Sequence, residues 1–178
     1  MPGLKVTAVL AVLLTSCVTA SVITPPAGTI DFKQYKAVRL VVLGLGAHAF
    51  TPYSIEGIRI FESWLKDMLR LQGYSVVERD EDMSIAVAVT SFRPGRKLLG
   101  MYLWSYGFGE NMPELTYRAT FRDRSGSLIA VLEGGRSYHG YELTENPKYM
   151  TEDQIRMAMI RHSVTQVGQF IQNNGRLE

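Results

Sequence analysis

Cysteine occurs once in these 178 residues, at Cys17, so no disulfide within the chain can hold the fold together. Histidine occurs three times, at His48, His139 and His162, with no HxxxH or HxxE pairing that would suggest a metal site. No Gly-x-Ser-x-Gly turn offers a serine nucleophile. The acidic run Glu78-Arg79-Asp80-Glu81-Asp82 lacks the glycine and terminal glutamate of a calcium loop and reads as a solvated turn. Charge of one sign is also missing: a formal net charge of +2 leaves no footprint for nucleic acid or acidic polymers. Repeats and low-complexity tracts are absent, and 46% hydrophobic with 20% charged residues is ordinary globular composition. These gaps leave few nominees for a convergent catalytic set, and no metal or cofactor is expected.

The amino terminus is more informative. In MPGLKVTAVLAVLLTSC, Lys5 precedes the apolar run Val6 to Leu14. That run is too short for a membrane-spanning helix, which needs about 20 residues, but suits the core of an export signal. It is followed by Leu14-Thr15-Ser16-Cys17, which resembles the lipobox of bacterial lipoproteins. The resemblance implies that residues 1–16 are a signal peptide and that Cys17 carries covalent lipid as the first mature residue. Val18 stands where an aspartate would resemble an inner-membrane retention signal, so the family rule favours the periplasmic face of the outer membrane. A lipid on its sulfur also disposes of an unpaired cysteine in an oxidising compartment. Residues 17–29, with SVITPPAGT, read as a tether reaching at most about 45 Å. Residues 30–178 are enough for one domain and too few to expect two.

RLVVLGLGAHAF raises a competing possibility, because Gly44-x-Gly46-x-x-Ala49 has the spacing of a dinucleotide-binding turn. Those glycines work only where a strand runs directly into a helix. Here the helix opens at Thr51 as N-cap with Pro52 at its first position, several residues late. The acid expected about 20 residues on is missing too: Glu78 lies beyond that helix. The stretch therefore reads as a strand ending in a loop, with no nucleotide partner.

The element order follows from periodicity. KAVRLVVLG, residues 36–44, is a near-continuous apolar run, the pattern of a central strand buried on both faces. Residues 52–72 place Ile55, Ile58, Phe61, Trp64, Leu65, Met68 and Leu69 on one helical face, and Gly73 supplies the stop. Strands follow at residues 74–78 and in MSIAVAVTSF. LTYRATFRDRSGSLIAVLE gives two more, joined at Asp123-Arg124-Ser125-Gly126, with Tyr117, Ala119 and Phe121 inward and Arg118 and Arg122 outward. Thr151 and Gln154 form a capping box opening a helix with Met157, Ile160, Val164, Val167 and Ile171 as its stripe. The order β-α-β-β-β-β-α predicts an α+β (α/β sandwich) domain, a mixed sheet of about five strands with both helices on one face and the other face partly open.

That order behind a lipobox is similar to small envelope lipoproteins related to the amino-terminal part of TolB and to the curli secretion lipoprotein. The resemblance rests on KAVRLVVL, LRLQGYSVVE, SIAVAVTSF and the DRSGSLI turn. It implies an accessory or assembly role without catalysis.

Residues 93–113, RPGRKLLGMYLWSYGFGENMP, form a long apolar connection between two strands. Tyr102, Trp104, Tyr106 and Phe108 alternate, so an extended chain presents them on one face. Either these rings cover the domain's own sheet, or they are exposed for a partner or a membrane, with Arg93, Arg96 and Lys97 at the base to meet headgroups. The first functional reading is thus a non-catalytic lipoprotein attached to the membrane through its anchor, with another envelope protein as partner. The second is a hydrolase or small-ligand binder built from residues 44–51 with His48 and His139.

Overall fold

A computed structural model describes residues 21–24, 30–45, 51–93, 97–98, 101–102, 113–137 and 151–176. Its strands are β1 (Ser21–Thr24), β2 (Ala37–Gly44), β3 (Ser75–Val76), β4 (Met83–Arg93), β5 (Lys97–Leu98), β6 (Met101–Tyr102), β7 (Glu114–Asp123) and β8 (Leu128–Ser137), with helices α1 (Pro52–Leu71) and α2 (Glu152–Gln172). Six strands form one mixed sheet in the order β1-β8-β7-β4-β2-β3, and β5 and β6 make a separate two-stranded ribbon. The fold class is the expected α+β arrangement, with one more strand in the sheet.

That strand is β1. Ser21–Thr24 lies in the segment read as tether, yet it pairs antiparallel with β8 from Ser21↔Glu133 to Thr24↔Val131. Four residues carry too little periodicity to be recognised, and the pairing is imposed by the open edge of β8 rather than by local propensity.

Parallel pairing of β2 with β3 across α1, and of β2 with β4, places β2 beside the edge of the sheet. The expectation of a central strand buried on both faces is corrected here. Val38 and Leu40 are buried under the helices, but Val41 and Leu43 are 39% and 56% exposed on the opposite face, with Leu45 beyond them at 51%. A run of apolar residues hides the alternation that the pleat imposes.

Both helices cover the face formed by Leu115, Tyr117, Ala119 and Phe121. Phe61 of α1 meets Tyr117 with ring centroids 5.9 Å apart, and Phe170 of α2 meets Phe121 at 5.3 Å. Phe32, on a single 3-10 turn capped by Asp31, closes this core against Phe121 and Phe170. Thr51 caps α1, Pro52 stands at its start, and Gly73 follows it at φ 90°. The capping box of Thr151 and Gln154 opens α2. The buried stripe of α1 differs from the expected one: Ser54 and Gly57 are buried while Ile55 is 42% exposed. The Phe92 ring occupies the space above Gly57 and sets the helix's rotation.

The acidic turn is less solvated than its composition suggests. Asp82 accepts hydrogen bonds from the backbone N–H of Ala37 and Lys36 at 2.9 and 3.1 Å, and Glu81 pairs with Arg39 at 2.9 Å. This turn fixes the start of β2 beside β4.

Candidate functional site

The topology sorts the connections into two ends. β2, β4 and β8 finish at one end of the sheet, and β7 begins there. Both helices start at that end too. Tyr53 of α1 lies against Phe92, near the end of β4, at 5.3 Å, and Arg156 of α2 reaches Glu56 of α1 at 2.7 Å. At the far end, Gln72 donates to the carbonyl of Gly168, and the Asp123–Gly126 turn reverses the chain. So the connections spanning residues 44–51, 93–113 and 137–151 are all rooted at one pole, whereas the chain enters β1 at Ser21 level with the middle of β8.

This gathering is the main thing the sequence did not reveal. Among the expected site residues, Arg93 ends β4 half-buried and pairs with Glu114 at 3.1 Å, across the two roots of the 93–113 segment. Ser91 donates to the same carboxylate at 2.9 Å. Lys97 and Tyr102 are register partners in the β5–β6 ribbon. Cys17, His48, Arg96, Trp104, Tyr106, Phe108 and His139 lie outside the described residues.

The start of α1 is poorly suited to an anion. Pro52 has no N–H, and the N–H of Ser54 already donates to the Thr51 hydroxyl at 3.1 Å. The Ser54 hydroxyl in turn bonds Thr51 and donates to the carbonyl of Phe92 at 3.3 Å, which ties the helix start to β4.

His162 sits half-buried on α2, and burial, reinforced by the nearby Arg136 charge, holds its imidazole below the usual pKa. It is therefore neutral at pH 7. The buried Tyr117 hydroxyl donates to Gln166 Oε1 at 3.2 Å, and burial pushes its pKa well up, as befits a structural group. Among the described residues no three His, Cys, Asp or Glu side chains come together as a metal site.

One groove of about 330 Å3 opens beside β2, lined in part by Arg39, Leu40, Lys66, Arg70 and Val76. Its cations are already paired, Arg39 with Glu81, Lys66 with Glu62 at 2.6 Å and Arg70 with Asp67 at 3.0 Å. Nothing in it converges as catalytic groups must. Among the described residues no helix is long and apolar enough to cross a membrane.

No family model and no curated protein matches this sequence. Solved structures do. The chain is similar in fold to a PelC dodecamer from Paraburkholderia phytofirmans, at 14% identity over 89% of this chain and 98% of that one, with a TM-score of 0.51. Looser overlaps include a minor lipoprotein from Acinetobacter baumannii, at 22% identity over 79% of this chain and 95% of that one with a TM-score of 0.41. Lipoprotein GNA1162 from Neisseria meningitidis overlaps at 12% identity over 75% and 99%, with a TM-score of 0.45. The first likeness concerns fold, and the other two are too loose to carry an argument about this chain.

Proposed function

We propose that this chain is a lipid-anchored, non-catalytic domain of the bacterial envelope, held at the periplasmic face of the outer membrane by acyl chains on Cys17. There it acts as an accessory or assembly module for another envelope protein. One observation carries the reading: β1 begins at Ser21, four residues after the lipobox cysteine, and pairs with Glu133, four residues before the end of β8 at the pole that roots the aromatic 93–113 segment. An acylated Cys17 lies within about 14 Å of Ser21 and so within about 30 Å of that pole, which keeps the segment richest in aromatic and basic residues near the membrane. More than one acyl chain makes such an anchor stable. The tether is correspondingly shorter than the sequence suggests, because Ser21–Thr24 is committed to the sheet. The PelC structure of similar fold is a dodecamer, and self-association is an economical way for a small anchored domain to build a larger surface.

The test is metabolic labelling with a fatty-acid analogue, followed by membrane fractionation. Wild type takes up label and sediments with the outer membrane, while Cys17→Ser does neither. Label persisting in Cys17→Ser would overturn the reading.

A second reading has one observation in its favour, since residues 44–51 and 137–151, which carry His48 and His139, are rooted at the same pole. On the first reading His48→Ala and His139→Ala leave the protein's phenotype intact. Loss of function in either, with an unchanged circular dichroism spectrum, would favour a ligand-binding or hydrolytic site.

A further inference from the structure

Ser21, Glu133, Arg118, Ala88 and Leu43 are successive register partners, one from each of β1, β8, β7, β4 and β2. The row spans four inter-strand spacings, about 19 Å. Its β1 end is the point from which the chain leads back to Cys17. At its β2 end Leu43 is exposed on the face turned away from the helices, with Val41 and Leu45 exposed beside it. Leu45 is tied in place by its N–H bond to the carbonyl of Val89 at 2.8 Å. No charge or proline interrupts residues 40–45, although an exposed strand beside a sheet edge is where such guards are usually found.

We infer that this row lies against the bilayer surface, with the acyl anchor at one end and Val41, Leu43 and Leu45 entering the interfacial zone at the other. The inference rests on the proposed lipidation of Cys17. The length of chain between cysteine and sheet decides the occupant. At about 3.5 Å per residue, four residues cannot lift the β1 end of the row more than about 14 Å from the acylated sulfur. A rigid sheet pinned that closely at one side presents the rest of the row to the same membrane. Leu43 and Leu45 then supply apolar contact, and Arg118, exposed between the two ends and only loosely paired with Glu133 at 3.6 Å, meets anionic headgroups.

The full lipidated chain is reconstituted in vesicles of phosphatidylethanolamine and phosphatidylglycerol that contain a nitroxide-bearing lipid. With the sulfur of Cys17 acylated, an introduced cysteine is the one site a thiol reagent can label. Pyrene is attached to Leu43→Cys, to Leu45→Cys as an independent variant, and to Ser125→Cys in the turn at the far end of the sheet. The expected result is loss of pyrene emission at 43 and 45 and none at 125. Equal quenching at all three positions, or none at 43 and 45, overturns the inference. Excimer emission from Leu43→Cys would show a second copy covering the corner and would overturn it equally. Failure of the wild-type chain to sediment with vesicles would instead overturn the lipidation reading and this inference with it. Quenching absent from a chain that does sediment sinks the inference alone.

Discussion

Phe92 fills the space that a side chain at Gly57 would need: a Cβ built there would fall inside the aromatic ring. The first turns of α1 can approach β4 only because residue 57 has no side chain. Ser54 reinforces the contact through its bond to the Phe92 carbonyl. Alanine at an exposed helical position would gain about 1 kcal/mol over glycine. Here Gly57→Ala is expected to destabilise instead, by about 1–3 kcal/mol, because the ring must move.

The pairing is separable by a double-mutant cycle. Phe92→Ala alone is expected to cost about 3–5 kcal/mol through the cavity it leaves. In that background Gly57→Ala should be neutral or stabilising, since the obstacle is gone. Chemical denaturation of the four proteins checks it, and additive losses would show that the ring does not set the helix position.

The same pair shows where the sequence was legible. Caps, stops and inward-facing alternation are local, so Thr51, Gly73, the Thr151–Gln154 box and Tyr117-Ala119-Phe121 were readable directly. The rotation of α1 is not local. It depends on which ring of a strand 35 residues later packs against it. For the same reason the exposure of Val41 and Leu43 was hidden, because only the sheet order reveals that β3 covers just two residues of β2's edge. The candidate site was less legible still. Its connections are far apart in sequence and meet only through the topology.

Arg156 offers a second test of packing across the helices. It is 8% exposed, pairs with Glu56 and Asp153 at 2.7 Å each, and lies over the Tyr53 ring at 5.0 Å. Its carboxylate partners are themselves well exposed, so they can rehydrate while the guanidinium cannot. Removing both partners, Glu56→Ala with Asp153→Ala, should therefore destabilise by about 1–3 kcal/mol. Arg156→Met should do less, because it removes the buried charge and keeps an apolar stem. A melting order with Arg156→Met as the less stable protein would contradict this.

Acid sensitivity should divide into two windows. His162 is held below its ordinary value of 6.5 by burial and by Arg136. The unfolded chain thus binds this proton more readily than the native one, and stability falls as pH drops below about 6.5 toward the native value. Asp82 is held below its ordinary 3.8 by the Ala37 and then the Lys36 backbone N–H, against the pull of burial and with help from Arg124. Its contribution is complete above about 3.9 and is lost as pH falls through the lower native value. Urea midpoints measured against pH should lose the upper decline in His162→Gln and show a smaller lower one in Asp82→Asn, where Asp123, held down chiefly by its Ser125 hydrogen bond, keeps its own share. Matching profiles for the two variants would refute the assignment.

Trp104 and Tyr106 belong to a connection whose roots, Arg93 and Glu114, are clamped by an ion pair at the pole. The described core is already filled by rings from other parts of the chain, Phe32, Phe61, Phe92, Tyr117, Phe121 and Phe170. Trp104→Ser combined with Tyr106→Ser is therefore expected to leave the thermal melt close to wild type and to weaken binding of an envelope partner, read by crosslinking in whole envelopes. If the two rings were core, each loss would cost about 3–5 kcal/mol, enough together to unfold a domain whose whole stability is about 5–15 kcal/mol. The melt is decisive because the two roles differ by most of the stability of the protein. A large fall in melting temperature would assign the rings to the domain's own packing and leave the pole without its principal contact residues.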